Sequence, residues 1–394
     1  MEDIYIVSGA RTAIGDFGGS LKGFKPAELG EKVVSAAIER SGLTPADIDH
    51  VVIGQVMATS ARDQMLCRVI ALNAGIPYTS PAMNLNRLCA SGLQAIVTAA
   101  QQMKLGESSI AVAGGAESMS NVPYHDHGVR WGRKMGDNTL EDALTHGLTD
   151  AIGNYHMGIT AENVAERHCI SRADMDALSV VSHQRAAHAI AEGRFKDQIV
   201  PIEIKTRKGT TLFDTDEHPR ADTNIEALGA MRAAFKKDGT ITAGNASGIN
   251  DGAAAVVLAT GAEVEKRGLK PMARIVAWGH AGVEPEYMGE GPIKAVPVAL
   301  ERAGLTLAQM DVIESNEAFA AQAAAVAKAL DFDPDKVNPN GSGVSLGHPV
   351  GATGAILMVK AIYELQRTGG RYALLTMCIG GGQGIAVIVE NMKR

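Results

Sequence analysis

Apolar and polar positions follow two rhythms along this chain. Short apolar runs at Ile4-Tyr5-Ile6-Val7, Val51-Val52-Ile53 and Ile110-Ala111-Val112-Ala113 predict buried strands, the last of them ending at Gly114-Gly115. Between such runs, Leu93, Ile96, Val97, Ala100 and Met103 recur at helical spacing, as do Ala355, Ile356, Val359 and Tyr363. Further helices are predicted over residues 173–192 and, rich in alanine, over 318–330. Strands alternating with helices predict an α/β fold.

The pattern also repeats. Glu39-Arg40-Ser41-Gly42-Leu43-Thr44 and Glu301-Arg302-Ala303-Gly304-Leu305-Thr306 share a helix end, a glycine cap and a following turn. In each copy an apolar strand follows, Val51-Val52-Ile53 or Val312-Ile313, and then a loop bearing a reactive side chain ahead of a helix. Two similar α/β halves related by a pseudo-twofold axis fit this better than one continuous sheet. Residues 120–246 break the rhythm with polar, irregular sequence, including His125, His127, Trp131 and the basic run Lys205, Arg207, Lys208. The expected division is therefore 1–119 plus about 247–272 as the first half, an inserted loop domain at 120–246 that covers a site between the halves, and 273–394 as the second half.

Composition narrows the function. With 394 residues and 46% apolar content the chain can bury a large core without staples. Its four cysteines, Cys67, Cys89, Cys169 and Cys378, show no zinc spacing and are expected to be reduced. The first residues run into a strand without the charged and apolar regions of a signal peptide, so a cytoplasmic protein is expected. The alanine-rich helix is too short to span a bilayer. A formal charge of −7 argues against nonspecific nucleic-acid binding, which needs a basic surface.

Four residues carry candidate chemistry. Cys89, in Asn86-Arg87-Leu88-Cys89-Ala90-Ser91-Gly92, precedes a helix whose N–H groups and dipole would favour a thiolate. A cysteine so placed is, taken alone, more often a small buried hydrophobe. His348, in Gly347-His348-Pro349-Val350-Gly351, is placed to take a thiol proton or, equally, to serve as a structural hydrogen-bonder. Cys378 leads into Gly380-Gly381-Gly382-Gln383-Gly384, which suits an oxyanion hole or a plain strand-to-strand turn. Asn316, in Glu314-Ser315-Asn316-Glu317-Ala318-Phe319, would by itself be read as a helix cap. His125-Asp126-His127 suggests a metal only weakly, since two histidines in a polar loop usually face solvent, and no metal is expected.

These four motifs, in this order, resemble the thiolase family over essentially the whole chain, closest to the bacterial short-chain biosynthetic type. The resemblance implies a layered αβαβα fold of two halves with a loop domain, and reversible Claisen condensation of two acetyl-CoA to acetoacetyl-CoA and CoA. It implies that Cys89 is acylated, that His348 activates it and that Cys378 shuttles the α-carbon proton. Asn316 would hold a water that shares one oxyanion with His348, while the N–H groups of Cys89 and Gly380 bind the other. Leu148, His156, Met157, Arg220, Phe235, Ala243, Ser247 and Phe319 would line the coenzyme A and acyl sites, with Ser247 at the pantetheine and Arg220 by the nucleotide. Coenzyme A is then substrate and product, and no cofactor is needed. Ala227 replaces a serine of close relatives, and Ala234 a proline before Phe235. Residues 124–142 resemble the loop through which many bacterial thiolases assemble as homotetramers.

Other readings compete. A decarboxylating ketosynthase would pair its cysteine with two histidines, whereas Cys378 stands at one of those places. A noncatalytic acyl-CoA or lipid carrier on the same fold would be favoured by loss of Cys89 or Cys378, and both are present. A degradative 3-ketoacyl-CoA thiolase of broader chain length is the main alternative, because Met157 adapts to larger acyl groups.

Overall fold

The computed structural model describes residues 2–207 and 209–393, so Lys208 of the basic run lies outside the described residues. The main strands are β1 (Ile4–Arg11), β2 (His50–Gly54), β3 (Ala82–Leu85), β4 (Ile110–Ser118), β5 (Asn250–Thr260), β6 (Ala273–Gly282), β7 (Val312–Ser315), β8 (Tyr372–Ile379) and β9 (Gln383–Asn391). They hydrogen-bond in the order β7-β8-β9-β6-β1-β5-β4-β2-β3, and the two-residue strand Gly15–Asp16 adds a tenth by pairing with β5.

The repeat is visible in the pairing. In the first half β2 runs parallel to β4, β4 antiparallel to β5, and β5 antiparallel to β1. The second half reproduces this with β7 parallel to β8, β8 antiparallel to β9, and β9 antiparallel to β6. Contrary to the expectation of separate sheets, the two half-sheets are joined by hydrogen bonds where β1 meets β6: Tyr5 pairs with Arg274 and Ile6 with Ala273, and the Met272 N–H reaches the Ile6 carbonyl at 2.8 Å. So short a seam leaves each half-sheet free to keep its own twist.

Helices α1 (Pro26–Ser41), α2 (Ser91–Lys104), α3 (Met157–His168), α4 (Arg172–Ala191), α5 (Gly291–Ala303), α6 (Ala320–Leu330) and α7 (Val350–Thr368) complete the frame. The repeated helix ends adopt matching caps: Gly42 and Gly304 are left-handed at φ 76° and 64°, and Thr44 and Thr306 each open a short 3-10 turn with a capping box. Outside the sheets, α1 packs on β1 and β5, and α5 on β6 and β9. Between them α2 and α7 pack on each other, and α7 touches strands of both halves. This gives five layers, αβαβα. The buried apolar residues of α2 and α7 form one cluster with both half-sheets.

Strand β4 does not end at Gly114-Gly115 but runs through both to Ser118. A β-carbon on Gly114 would lie 2.1 Å from the Ala254 carbonyl oxygen of β5, and one on Gly115 would lie 2.1 Å from that of Gly351 on α7. Close approach of neighbours, rather than a turn, requires these glycines.

Residues 120–246 hold α3, α4, short helices and two small hairpins. They are anchored to the first half by Arg11, whose guanidinium meets Asp216 in two bonds of 2.7 and 2.9 Å and Gln198 Oε1 at 2.7 Å. Both charged side chains are fully buried, so removing either partner would cost about 3–5 kcal/mol.

Candidate functional site

Cys89 stands on a tight strand-to-helix turn between β3 and α2. Leu88 before it holds a left-handed backbone at φ 46°, uncommon for a residue other than glycine and of the kind stored at functional sites. The turn is fixed locally: Ser91 Oγ accepts from the Arg87 N–H at 2.8 Å and donates to the Leu88 carbonyl at 2.7 Å, and Asn86 Oδ1 accepts from the Leu88 N–H at 3.0 Å. The thiol is not enriched in thiolate as the helix end alone would suggest. Burial pushes its pKa up, and the N–H groups of Gly380 and Cys89 itself offset this only in part. The helix begins two residues later, at Ser91, and desolvation wins. Cys89 therefore needs a base.

His348 lines the same cavity as Cys89. Its backbone N–H donates to Asn250 Oδ1 at 2.9 Å, which ties the histidine loop of the second half to β5 of the first. Its Nδ1 lies 2.6 Å from Thr353 Oγ1, and that hydroxyl reaches the Pro349 carbonyl at 3.0 Å. The one hydroxyl proton goes to the carbonyl, so we assign the imidazole proton to Nδ1 and the lone pair to Nε2. Burial lowers the pKa to about 4, and the ring is a neutral base at ordinary pH. Asn316 Nδ2 sits 3.4 Å from Nε2, while Asn316 Oδ1 is buried with no hydrogen-bond partner among the described residues.

Cys378 is fully buried on β8, in the apolar cluster that includes Met157, Phe235 and Phe319. Burial, and then the neighbouring Cys89, hold its thiol protonated. The glycines after it make the turn from β8 to β9, and that turn brings the Gly380 N–H to Cys89.

The cavity has a volume of about 510 Å³. Besides Cys89 and His348, its walls include Leu148, His156, Met157, Phe235, Ala243, Ser247 and Phe319. His156 stacks on Phe235 with ring centroids 4.7 Å apart, and Phe235 meets Phe319 edge-on at 6.0 Å. Ser247 is held by its N–H to the Ala318 carbonyl at 3.0 Å. Glu162 accepts from the Thr240 and Ile241 N–H groups and so closes the loop that presents Phe235. Ala234 donates its N–H to the Ile241 carbonyl at 2.8 Å, a bond that a proline at this position could not make.

Arg220 does not reach the cavity wall. Its guanidinium is tied to Asp16 at 2.9 Å and to the Glu217 carbonyl at 3.0 Å, beside His218, which does line the cavity. Asn316 and Cys378 likewise lie behind the wall. Three supporting residues escape sequence reasoning: Asn250, Thr353 and Glu117. Glu117 is fully buried and accepts the N–H groups of Val56, Met57 and Gly351 at 2.9, 3.2 and 2.9 Å, which fastens the start of α7 to β4. Burial raises its pKa to about 8.

A cysteine on a strained turn, a neutral histidine and a second, protonated thiol around an apolar cavity suit covalent acyl transfer with a proton exchange at carbon. Comparison with known proteins agrees. The model of the thiolase N-terminal domain matches residues 4–262, and that of the thiolase C-terminal domain matches 269–391. The chain belongs to the thiolase family and is an acyltransferase of that family.

It is 58% identical to beta-ketothiolase BktB of Cupriavidus necator, over 99% of both chains. Acetyl-CoA acetyltransferase of Pseudomonas aeruginosa is 48% identical over 99% of this chain and 100% of its own. Among solved structures, acetyl-CoA acetyltransferase of Bacillus anthracis superposes with a TM-score of 0.97 at 44% identity, covering 99% of each chain. Human mitochondrial 3-ketoacyl-CoA thiolase in complex with CoA does so with a TM-score of 0.96 at 43% identity, covering 99% of this chain and 98% of its own.

Proposed function

We propose that this thiolase condenses two acetyl-CoA to acetoacetyl-CoA and CoA, and runs the reverse thiolysis, through an acyl-Cys89 thioester. The observation that carries this is the convergence of Cys89 and His348 on one apolar cavity with Cys378 directly behind it. His348 Nε2 takes the Cys89 proton as sulfur attacks the thioester carbonyl, and the proton leaves with the CoA thiol. His348, neutral again, takes the Cys378 proton; the Cys378 thiolate accepts a proton from the α carbon of the second acetyl-CoA, and the carbanion attacks acyl-Cys89, which departs as thiolate and recovers its proton from His348. A thiol with so high a pKa is matched to a weak carbon acid, since its conjugate base is strong.

Each step develops charge on a thioester oxygen. The N–H groups of Cys89 and Gly380 serve one oxyanion, and His348 with a water held by Asn316 serves the other; the unpartnered Asn316 Oδ1 supports that assignment. The walls formed by Leu148, His156, Met157, Phe235, Ala243, Ser247 and Phe319 receive the acyl group and pantetheine. Arg220, tied to Asp16, meets the nucleotide end. Coenzyme A enters as substrate and product, without a further cofactor.

Two features of the whole molecule belong to the same proposal. A homotetramer is supported by Tyr124, Val129, Trp131, Met135 and Leu140, all exposed on residues 124–142. A cytoplasmic site of action is supported by four free thiols; among the described residues no helix is long and apolar enough to cross a membrane.

Chain length tests the assignment. Met157 and Leu148 bound the acyl pocket, so thiolysis is fastest with acetoacetyl-CoA or its five-carbon homologue. A higher kcat/KM with a ten-carbon 3-ketoacyl-CoA than with acetoacetyl-CoA would favour the degradative type, a reading that the adaptable Met157 side chain keeps in view.

A further inference from the structure

The fold brings a second cluster together away from the catalytic cavity. His125, at the start of the 124–142 segment, pairs across a small antiparallel ladder with Glu141 near its end. His127, two residues along the same strand direction, has its Nε2 3.0 Å from Glu141 Oε2. One ligand atom from each of His125, His127 and Glu141 lies within 4.8 Å of the others. His146, on the helical turn after the ladder, points Nδ1 at Glu141 Oε1 from 3.9 Å. Asp126 takes no part: one carboxylate oxygen accepts the N–H groups of Gly128 and Val129, and the other accepts from Asn138.

We propose that His125, His127 and Glu141, with His146 as fourth ligand, form a site for a divalent transition metal of the zinc type that clips the two ends of this segment together. Two histidines in sequence gave only a weak reason to expect it, because the carboxylate and the third imidazole arrive from 14 to 21 residues away. Imidazole nitrogens with one carboxylate suit Zn²⁺ rather than Mg²⁺ or Ca²⁺, which prefer oxygen throughout. Bonds of about 2.0–2.2 Å hold tetrahedral ligand atoms roughly 3.5 Å apart, so contraction of about 1 Å brings His125, His127 and Glu141 to ligand spacing, and His146 swings in from its place beside Glu141. The side chains of His127 and His146 are 71% and 58% exposed, which leaves the rings free to rotate onto the ion.

Isothermal titration of the full-length, tag-free enzyme with ZnCl2 tests this. The wild type binds one more Zn²⁺ per chain than His127→Asn, and Glu141→Gln weakens that site at least about tenfold. Neither residue is in the catalytic cavity, so retained thiolase activity verifies the fold of both variants. Equal Zn²⁺ binding by wild type and both variants, or no Zn²⁺ bound by the wild type, overturns the proposal. His146→Asn with unchanged affinity removes His146 from the ligand set.

Discussion

Thr353 is the side chain on which the assigned state of His348 depends, and replacing it separates that role from packing. Thr353→Val keeps the volume but removes the acceptor of the Nδ1–H. Thr353 is 3% exposed and His348 5%, so no bulk water replaces the lost partner. A buried donor left unpaired costs about 1–3 kcal/mol, and the ring escapes that cost by turning or by shifting its proton to Nε2. Either change removes the lone pair that takes the Cys89 proton. If the productive state loses about 2 kcal/mol relative to its alternatives, kcat falls roughly 30-fold.

Thr353 is not part of the cavity wall, so KM for acetoacetyl-CoA stays within about twofold. Thr353→Ser keeps the hydroxyl and retains kcat within about threefold, although it loses the same methyl that a packing role would need. Thiolysis kinetics and a thermal melt on the three proteins decide the matter. A wild-type kcat in Thr353→Val, or a serine variant as impaired as the valine one, refutes the reasoning.

Cys378→Ala is expected to retain exchange of acetyl groups between acetyl-CoA and labelled CoA while condensation drops at least about 100-fold, because only the carbon–carbon step needs proton removal at carbon; Cys89→Ala loses both, and near-normal condensation in Cys378→Ala contradicts the assigned roles. Stability should fall as pH drops from about 6.5 to 4, because His183 and His348 stay neutral in the fold to about pH 4 while the unfolded chain takes up their protons near 6.5. His183→Asn removes one such group, so unfolding free energies from urea titrations around pH 5 should show a slope shallower by about 1.4 kcal/mol per pH unit, and an unchanged slope argues against it.

Local signals were the legible ones. The two glycine caps and the loops before α2 and α7 are written in contiguous residues, and they revealed both the repeat and the places of Cys89 and His348. What escaped depends on neighbours distant in sequence. Gly114-Gly115 look like a strand end because the carbonyl groups that demand them belong to residues 254 and 351. Asn250 and Glu117 read as ordinary polar residues of strand ends, yet each hydrogen-bonds across the boundary between halves. The thiolate expected at Cys89 failed for the same reason: sequence gives the helix end, but the burial that outweighs it is set by the packed molecule.

The central helices explain why a duplicated architecture yields one site. α2 follows the Cys89 turn and α7 follows the His348 loop, so the distance between the two reactive groups is governed by how closely these helices pack. Glycines set that distance. A β-carbon on Gly92 of α2 would lie 2.9 Å from the Gly351 carbonyl oxygen, and one on Gly354 of α7 would lie 2.4 Å from the Leu93 nitrogen. Backbones that meet with no side chain between them cannot slide apart without opening a void, which dense interiors resist. Glu117 adds a second constraint by binding the Gly351 N–H from β4, and Asn250 adds a third from β5. The reactive residues thus occupy loops, but each loop leads directly into a helix fixed on several sides by backbone contact. A base of low pKa and a thiol of raised pKa exchange a proton efficiently only when held in this way, because the uphill transfer must be coupled to attack on the substrate rather than completed before it.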